Sequence, residues 1–350
     1  MKATIRQQGD ITDITGLDLG FGSVKLKGSM QVDAKKGLQS AEFSSFALSE
    51  GDAAQLSLTP IKDGYAVRIR GDQLDLKPIL TRSFDLTSGA GGVQATSFTQ
   101  TIALDVELKR ALGMYKTNAF NVNLDLQLKG SDLRNVSLQT QIGSAGQVSV
   151  ATNSIENGRA MTFVFNDLGS VLRFVGVYPQ LQGGAGSFVL NQNTETKVDT
   201  GVVSLKNFAI VDEKNLTALV EGHPDSRKMM RGGNTMVFDS ATTQFIRRKD
   251  RIQIVDAKLA GDSIGGTGEG FIYTDTKQYD IVGTFVPMFG INNAFGKLFG
   301  GGDNGMWGIT FAVRGPLDKP AFKMNPLSLL APGAFRGLFE YKAKEAPRVD

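Results

Sequence analysis

The side chains that most often carry chemistry are scarce in this sequence. There is one histidine, His223, in Glu221-Gly222-His223-Pro224-Asp225, and there is no cysteine. A Ser-His-Asp triad would have to use that histidine, and no serine stands in a G-x-S-x-G turn. A histidine beside proline on a polar turn reads as solvated surface. Zinc sites draw on clustered His and Cys, which the composition rules out. An oxygen-ligand calcium loop needs closely alternating carboxylates, and Asp72-Gln73-Leu74-Asp75 is too sparse. Two glycine-rich stretches resemble nucleotide loops only superficially. Gly265-Gly266-Thr267-Gly268-Glu269-Gly270 runs into Phe271-Ile272-Tyr273, which reads as a strand, whereas a dinucleotide loop opens a helix. Gly290 to Gly296-Lys297 has one residue too many for a P-loop, and Leu298 stands where a Ser or Thr would ligate magnesium. The 35 acidic residues are scattered along polar strand faces, with no spacing that marks a hydrolytic pair. The expectation is a protein with no catalytic residues, no metal site and no cofactor.

The elements that would position any site are read from alternation. Val122, Leu124, Leu126 and Leu128 alternate with Asn121, Asn123, Asp125, Gln127 and Lys129. Ile102, Leu104, Val106 and Leu108 alternate with Thr101, Ala103, Asp105, Glu107 and Lys109, and Tyr65, Val67 and Ile69 with Ala66, Arg68 and Arg70. Successive strand side chains point to opposite faces, so each run has one apolar and one polar face. Shorter runs of the same kind occur at 17–21, 136–138, 161–165, 252–254, 271–273 and 307–313. Lys62-Asp63-Gly64, Gly130-Ser131-Asp132 and Glu156-Asn157-Gly158 read as turns between them. Two segments switch to helical spacing. Asn166 and Asp167 precede Leu168, Val171, Leu172 and Val175, which predicts a helix near 167–178. A second is predicted near 216–221 after Asn215. The fold class expected is all-β with a few short helices: a long curled antiparallel sheet, or β-gutter, with an apolar concave face. The domains expected are a meander over 1–165, a C-terminal domain over 166–326 and an amphipathic basic tail over 327–350.

Composition narrows the partners. With 38 basic and 35 acidic side chains the net charge is +3, which gives no drive toward nucleic acid. The first ten residues are polar and lack the apolar core of a signal peptide. No stretch approaches the ~20 apolar residues of a membrane span. What the pattern leaves to explain is apolar surface. A meander must cover its greasy face. Folding back on itself as a sandwich is one solution. A gutter whose groove holds lipid is the other, since a ten-residue strand spans ~33 Å and one leaflet's hydrocarbon is ~15 Å thick. On that reading Val67, Ile69, Leu104, Val106, Leu124, Leu126 and Leu128 line the groove. A second apolar region runs from Phe285 through Met288 and Phe289 to Phe295 and Phe299. The tail adds Leu330, Phe335 and Phe339, followed by Lys342, Lys344 and Arg348. These segments read either as a buried plug or as a contact with a membrane or membrane-bound partner.

A series of motifs carries a family likeness. Asn166-Asp167-Leu168-Gly169-Ser170-Val171-Leu172-Arg173, Tyr178 and Gly183-Gly184 resemble the helix and following turn of AsmA-like C-terminal domains. Leu259-Ala260-Gly261, Ile264-Gly265, Gly268-Glu269-Gly270 and Gly283-Thr284-Phe285-Val286-Pro287 resemble the strand pattern of the same family. Gly315-Pro316-Leu317-Asp318-Lys319-Pro320, Asn325-Pro326-Leu327-Ser328 and Ala331-Pro332-Gly333 complete the order. The resemblance, to the AsmA superfamily of the YhdP and TamB type, covers about 166–340; the N-terminal half matches in strand pattern only. It implies a β-gutter of the Gram-negative envelope that contributes to phospholipid movement between inner and outer membrane and to outer-membrane biogenesis. The functional residues it implies are groove-lining apolar side chains rather than a catalytic motif. Implied partners are phospholipid and an inner or outer membrane surface, or a membrane-bound envelope protein. The implied location is periplasmic, with anchoring to the inner membrane through an N-terminal segment that this sequence lacks. The alternative function is a structural or interaction module whose core is filled by its own residues.

Overall fold

The computed structural model describes residues 2–84, 99–130, 132–213, 234–261, 264–287, 309–317, 319–325 and 343. They form nineteen strands, two α-helices and one 3-10 turn. The chain divides into two compact units, Met1–Thr152 with Ser170–Pro179, and Asn153–Gly169 with Gln180–Asp350. The division falls earlier than the boundary expected near 165, and residues 170–179 of the helical segment belong to the first unit.

In the first unit the strands are β1 (Lys2–Gln8), β2 (Ile11–Phe21), β3 (Val24–Asp33), β4 (Gly37–Ala47), β5 (Ala53–Ile61), β6 (Gly64–Asp75), β7 (Thr101–Leu112), β8 (Asn118–Lys129), β9 (Asp132–Ile142) and β10 (Gly146–Ile155), the last reaching just past the division. Each pairs with the next in chain order. Nearly all pairings are antiparallel and joined by short turns. At Asp63 and Asn157 the backbone takes the left-handed conformation, φ 64° and 60°, ahead of Gly64 and Gly158. The expected all-antiparallel meander is corrected at one place. β6 and β7 pair in parallel, from Gly64↔Thr101 to Asp75↔Leu112. A parallel pair needs a crossover rather than a hairpin, and this one carries helix α1 (Lys77–Phe84). The Asp75 carboxylate accepts the Lys77 N–H at 3.0 Å, and Pro78 occupies the first turn, where its missing N–H costs nothing. A Cβ at Gly64 would come within 1.8 Å of the Thr101 carbonyl oxygen, so only glycine admits this approach.

Helix α2 (Leu168–Val175) forms where the i, i+3, i+4, i+7 spacing places it. It ends at Gly176, φ 84°, whose N–H and that of Val177 both reach the Leu172 carbonyl at 3.0 Å. The second unit contains β11 (Gly158–Phe165), β12 (Leu181–Asn193), β13 (Asp199–Val211), β14 (Thr235–Arg247), β15 (Arg251–Ala260), β16 (Ile264–Tyr273), β17 (Gln278–Pro287), β18 (Ile309–Pro316) and β19 (Ala321–Asn325). These pair antiparallel in chain order. Neither unit's sheet is closed into a barrel. The helix expected near 216–221, His223 and the tail 327–350 lie outside the described residues, apart from Ala343.

Candidate functional site

Register decides which residues share a face, because directly paired strand residues project to the same side. Two aliphatic rows cross the first unit. One runs Leu56, Ile69, Val106, Leu124, Leu138, Val150; the other runs Leu58, Val67, Leu104, Leu126, Val136. A third, shorter row is Tyr65, Ile102, Leu128, Leu133. All seven residues read from the sequence as groove-lining, Val67, Ile69, Leu104, Val106, Leu124, Leu126 and Leu128, thus lie side by side on one face. Toward β2 the first two rows continue into a packed cluster of Leu17, Ala41 and Phe43, flanked by Ile14, Met30, Leu56 and Leu58.

Burial along this face is uneven. Val106, Leu108 and Val122 are buried, while Val67, Ile69, Leu104, Leu124, Leu126, Leu128, Ile102 and Leu133 are only half-buried. The buried stretch leads toward the C-terminal ends of β6 and β7, where Leu74, Ala111, Ala119 and Ile142 are buried too. Both helices sit at that end. The Leu76 N–H donates to Leu112 O at 2.9 Å, and Leu80 of α1 is buried. In α2, Phe174 and Val171 are buried, and Phe174 lies so close to Gly113 that a Cβ there would be 2.2 Å from its ring. Met114 packs against Gly176 and Ser170 against Gly143.

The opposite face is polar and cross-braced. Asp105 accepts from Arg70 at 2.6 Å and from Arg68 at 3.1 Å, Arg70 also meets Glu107 at 3.1 Å, and Lys109 meets Asp72 at 2.7 Å. The hydrogen bond from Arg70 is the main reason the Asp105 carboxyl titrates below the usual carboxylate range, and Arg68 adds to it. Two open recesses lie over these polar rows, one beside Ser44, Gln55, Arg70 and Lys109, the other beside Ser57, Arg68, Asp105 and Asp125. A third opens at the hairpin ends of the strands, among Lys36, Pro60, Ile61, Tyr65, Gln100 and Lys129. Among the described residues no group of three or more His, Asp or Glu could hold a metal ion, and no helix is long and apolar enough to cross a membrane.

The second unit packs differently. Phe208 stacks on Phe238 at 5.0 Å, Phe188 on Phe245 at 5.7 Å, and Phe311 on Phe322 at 5.6 Å. Phe238 and Met236 have no exposed surface. Gly201 leaves the room that the Phe245 ring fills, since a Cβ there would come within 2.1 Å of it. Phe285, read from the sequence as a membrane or partner contact, lies in β17 beside Gly266 and Ile309 and is 3% exposed. Its side chain is therefore buried in the core of this unit. Met288, Phe289, Phe295, Phe299, Leu330, Phe335 and Phe339 lie outside the described residues. The sequence reading missed α1, although Asp75 before Lys77-Pro78 is a recognisable start signal. It also missed the uneven burial, which no local pattern carries. The chain matches no family model, no curated protein and no solved structure.

Proposed function

We propose that the first unit binds the hydrocarbon of lipid on its aliphatic face, as a non-catalytic lipid-binding or lipid-transfer module of the AsmA-like kind. One observation supports this reading: aliphatic rows run across five and six strands, contain no polar side chain, and remain half-buried over most of their width. An isolated accessible leucine is ordinary, and a contiguous aliphatic face that keeps part of its area accessible supports a role in contacting an apolar ligand. Covering it is favourable by ~25 cal/mol per Å² of apolar area. The absence of hydrogen-bonding groups in the rows suits an acyl chain, which has none to satisfy, better than a peptide strand or an aromatic ligand. In the cell this reading places the protein in the periplasm, held at the inner membrane and moving phospholipid toward the outer membrane.

The stacked aromatic core of the second unit supports the companion role, a self-filled scaffold or interaction module. Native mass spectrometry of the intact chain, purified without detergent, tests the proposal. Lipid adducts that disappear on delipidation and return on adding phospholipid are expected. A delipidated, folded chain that takes up no phospholipid leaves only the scaffold role.

A further inference from the structure

Resting on the acyl-chain reading, we infer that the aliphatic face is a blind groove, which an anionic lipid enters from the hairpin end with its chain directed toward α1 and α2. Three observations converge on this. The first is the burial gradient along one face: Ile102, Leu104, Leu126 and Leu128 are half-buried, Val106 is buried between half-buried Ile69 and Leu124, and Leu108 and Val122 one step further on are buried. The second is what stands at the buried end. Leu80, Val171 and Phe174 of the two helices are buried there, and Phe174 is seated against Gly113, directly beyond β7. The third is the open recess at the other end of the same strands, flanked by Lys36 and Lys129 with Asp63, Tyr65 and Gln100.

The dimensions agree. From Leu128 to Leu124 the strand rises four residues, about 14 Å, close to the ~15 Å of hydrocarbon in one leaflet. A single acyl chain laid along β7 and β8 therefore covers the half-buried stretch and stops where the protein's own side chains take over. Its head remains in the hairpin-end recess, where the ammonium groups of Lys36 and Lys129 outnumber the one carboxylate, Asp63, and favour a phosphate. A groove open at both ends would instead carry chains past either end.

Photo-crosslinking of the full, delipidated chain separates these arrangements. The probes are two lysophosphatidylglycerols, one with a diazirine at the chain terminus and one with it next to the glycerol. The terminal label should mark Val106, Leu108 and Val122, and the glycerol-proximal label should mark Tyr65, Ile102 and Leu128. Labelling of both ends by both probes, or the reverse order, overturns the blind groove while leaving acyl binding intact. Labelling that unlabelled lipid cannot compete away overturns both. Lysophosphatidylcholine should compete severalfold less well at low salt, with the difference shrinking as salt rises. Equal competition at low salt overturns the headgroup placement.

Discussion

Leu126→Asp tests the aliphatic face at its centre. Leu126 is flanked on its face by Leu104 and Val136, and it is half-buried, so the substitution can separate binding from folding. A buried neighbour such as Val106, 7% exposed, could not, because a carboxylate there would be trapped in the core. In the lipid-free Leu126→Asp protein the new carboxylate would keep water on one side, and the stability loss should stay near that of removing a partly buried leucine, at most ~2 kcal/mol. With an acyl chain laid over it, the carboxylate must shed that water or take a proton. Desolvating an ion costs several kcal/mol even after relaxation, and every 1.4 kcal/mol is tenfold in affinity. Lipid binding should therefore weaken by about a hundredfold or more, and lipid should no longer co-purify. Gln127→Asp, on the polar face, introduces the same charge and should leave binding unchanged. The assay is native mass spectrometry of both variants after circular dichroism has shown an unaltered β spectrum. A folded Leu126→Asp protein that binds lipid like the parent would refute the groove.

Other outcomes follow from the packing and charge. Gly113→Ala should drive a methyl into the Phe174 ring and cost about 1–3 kcal/mol, read as a lower melting temperature of the intact chain; an unchanged melting temperature would show that α2 is not seated there. Asp105→Asn should cost about 1 kcal/mol at neutral pH, a modest value because the pair is about one-third exposed. Since the folded protein holds the Asp105 carboxyl below its ordinary range, its contribution is complete above about pH 4 and is lost as pH falls through the lowered value. Urea titrations should accordingly show the gap between parent and variant closing only in acid. Residues 327–350 carry Leu330, Phe335 and Phe339 beside Arg336, Lys342, Lys344 and Arg348. The intact chain should float with anionic liposomes at low salt, less so as salt rises, and deletion of 327–350 should abolish most of that; a chain that stays at the bottom of the gradient at low salt removes the membrane contact.

Strand identity was legible in the sequence because it is local. Alternation at 101–109 and 121–129 needs only the two-sided geometry of an extended chain, and it places Leu104 and Leu126 on an apolar face before any partner is known. Helix α2 was legible for the same reason, since its apolar residues recur at the helical period within eight positions. Pairing order and hand were not. That β6 meets β7 in parallel depends on a crossover closing on Gly64 and Thr101, a contact across 37 positions that alternation cannot encode. Burial was not legible either. Val106 and Leu104 are equivalent in pattern, yet Val106 is buried and Leu104 only half-buried, a difference set by what packs over each and not by alternation. Phe285 shows the converse: an apolar run read either as a buried plug or as a membrane or partner contact begins inside a strand, between Gly266 and Ile309, with the Phe285 side chain buried. Period and turn chemistry are properties of neighbouring residues, which is why most of the strands, their apolar faces and α2 can be read along the chain. How deeply each residue of a face is buried depends on long-range packing, which alternation along the chain does not encode, and it emerges in the folded chain alone.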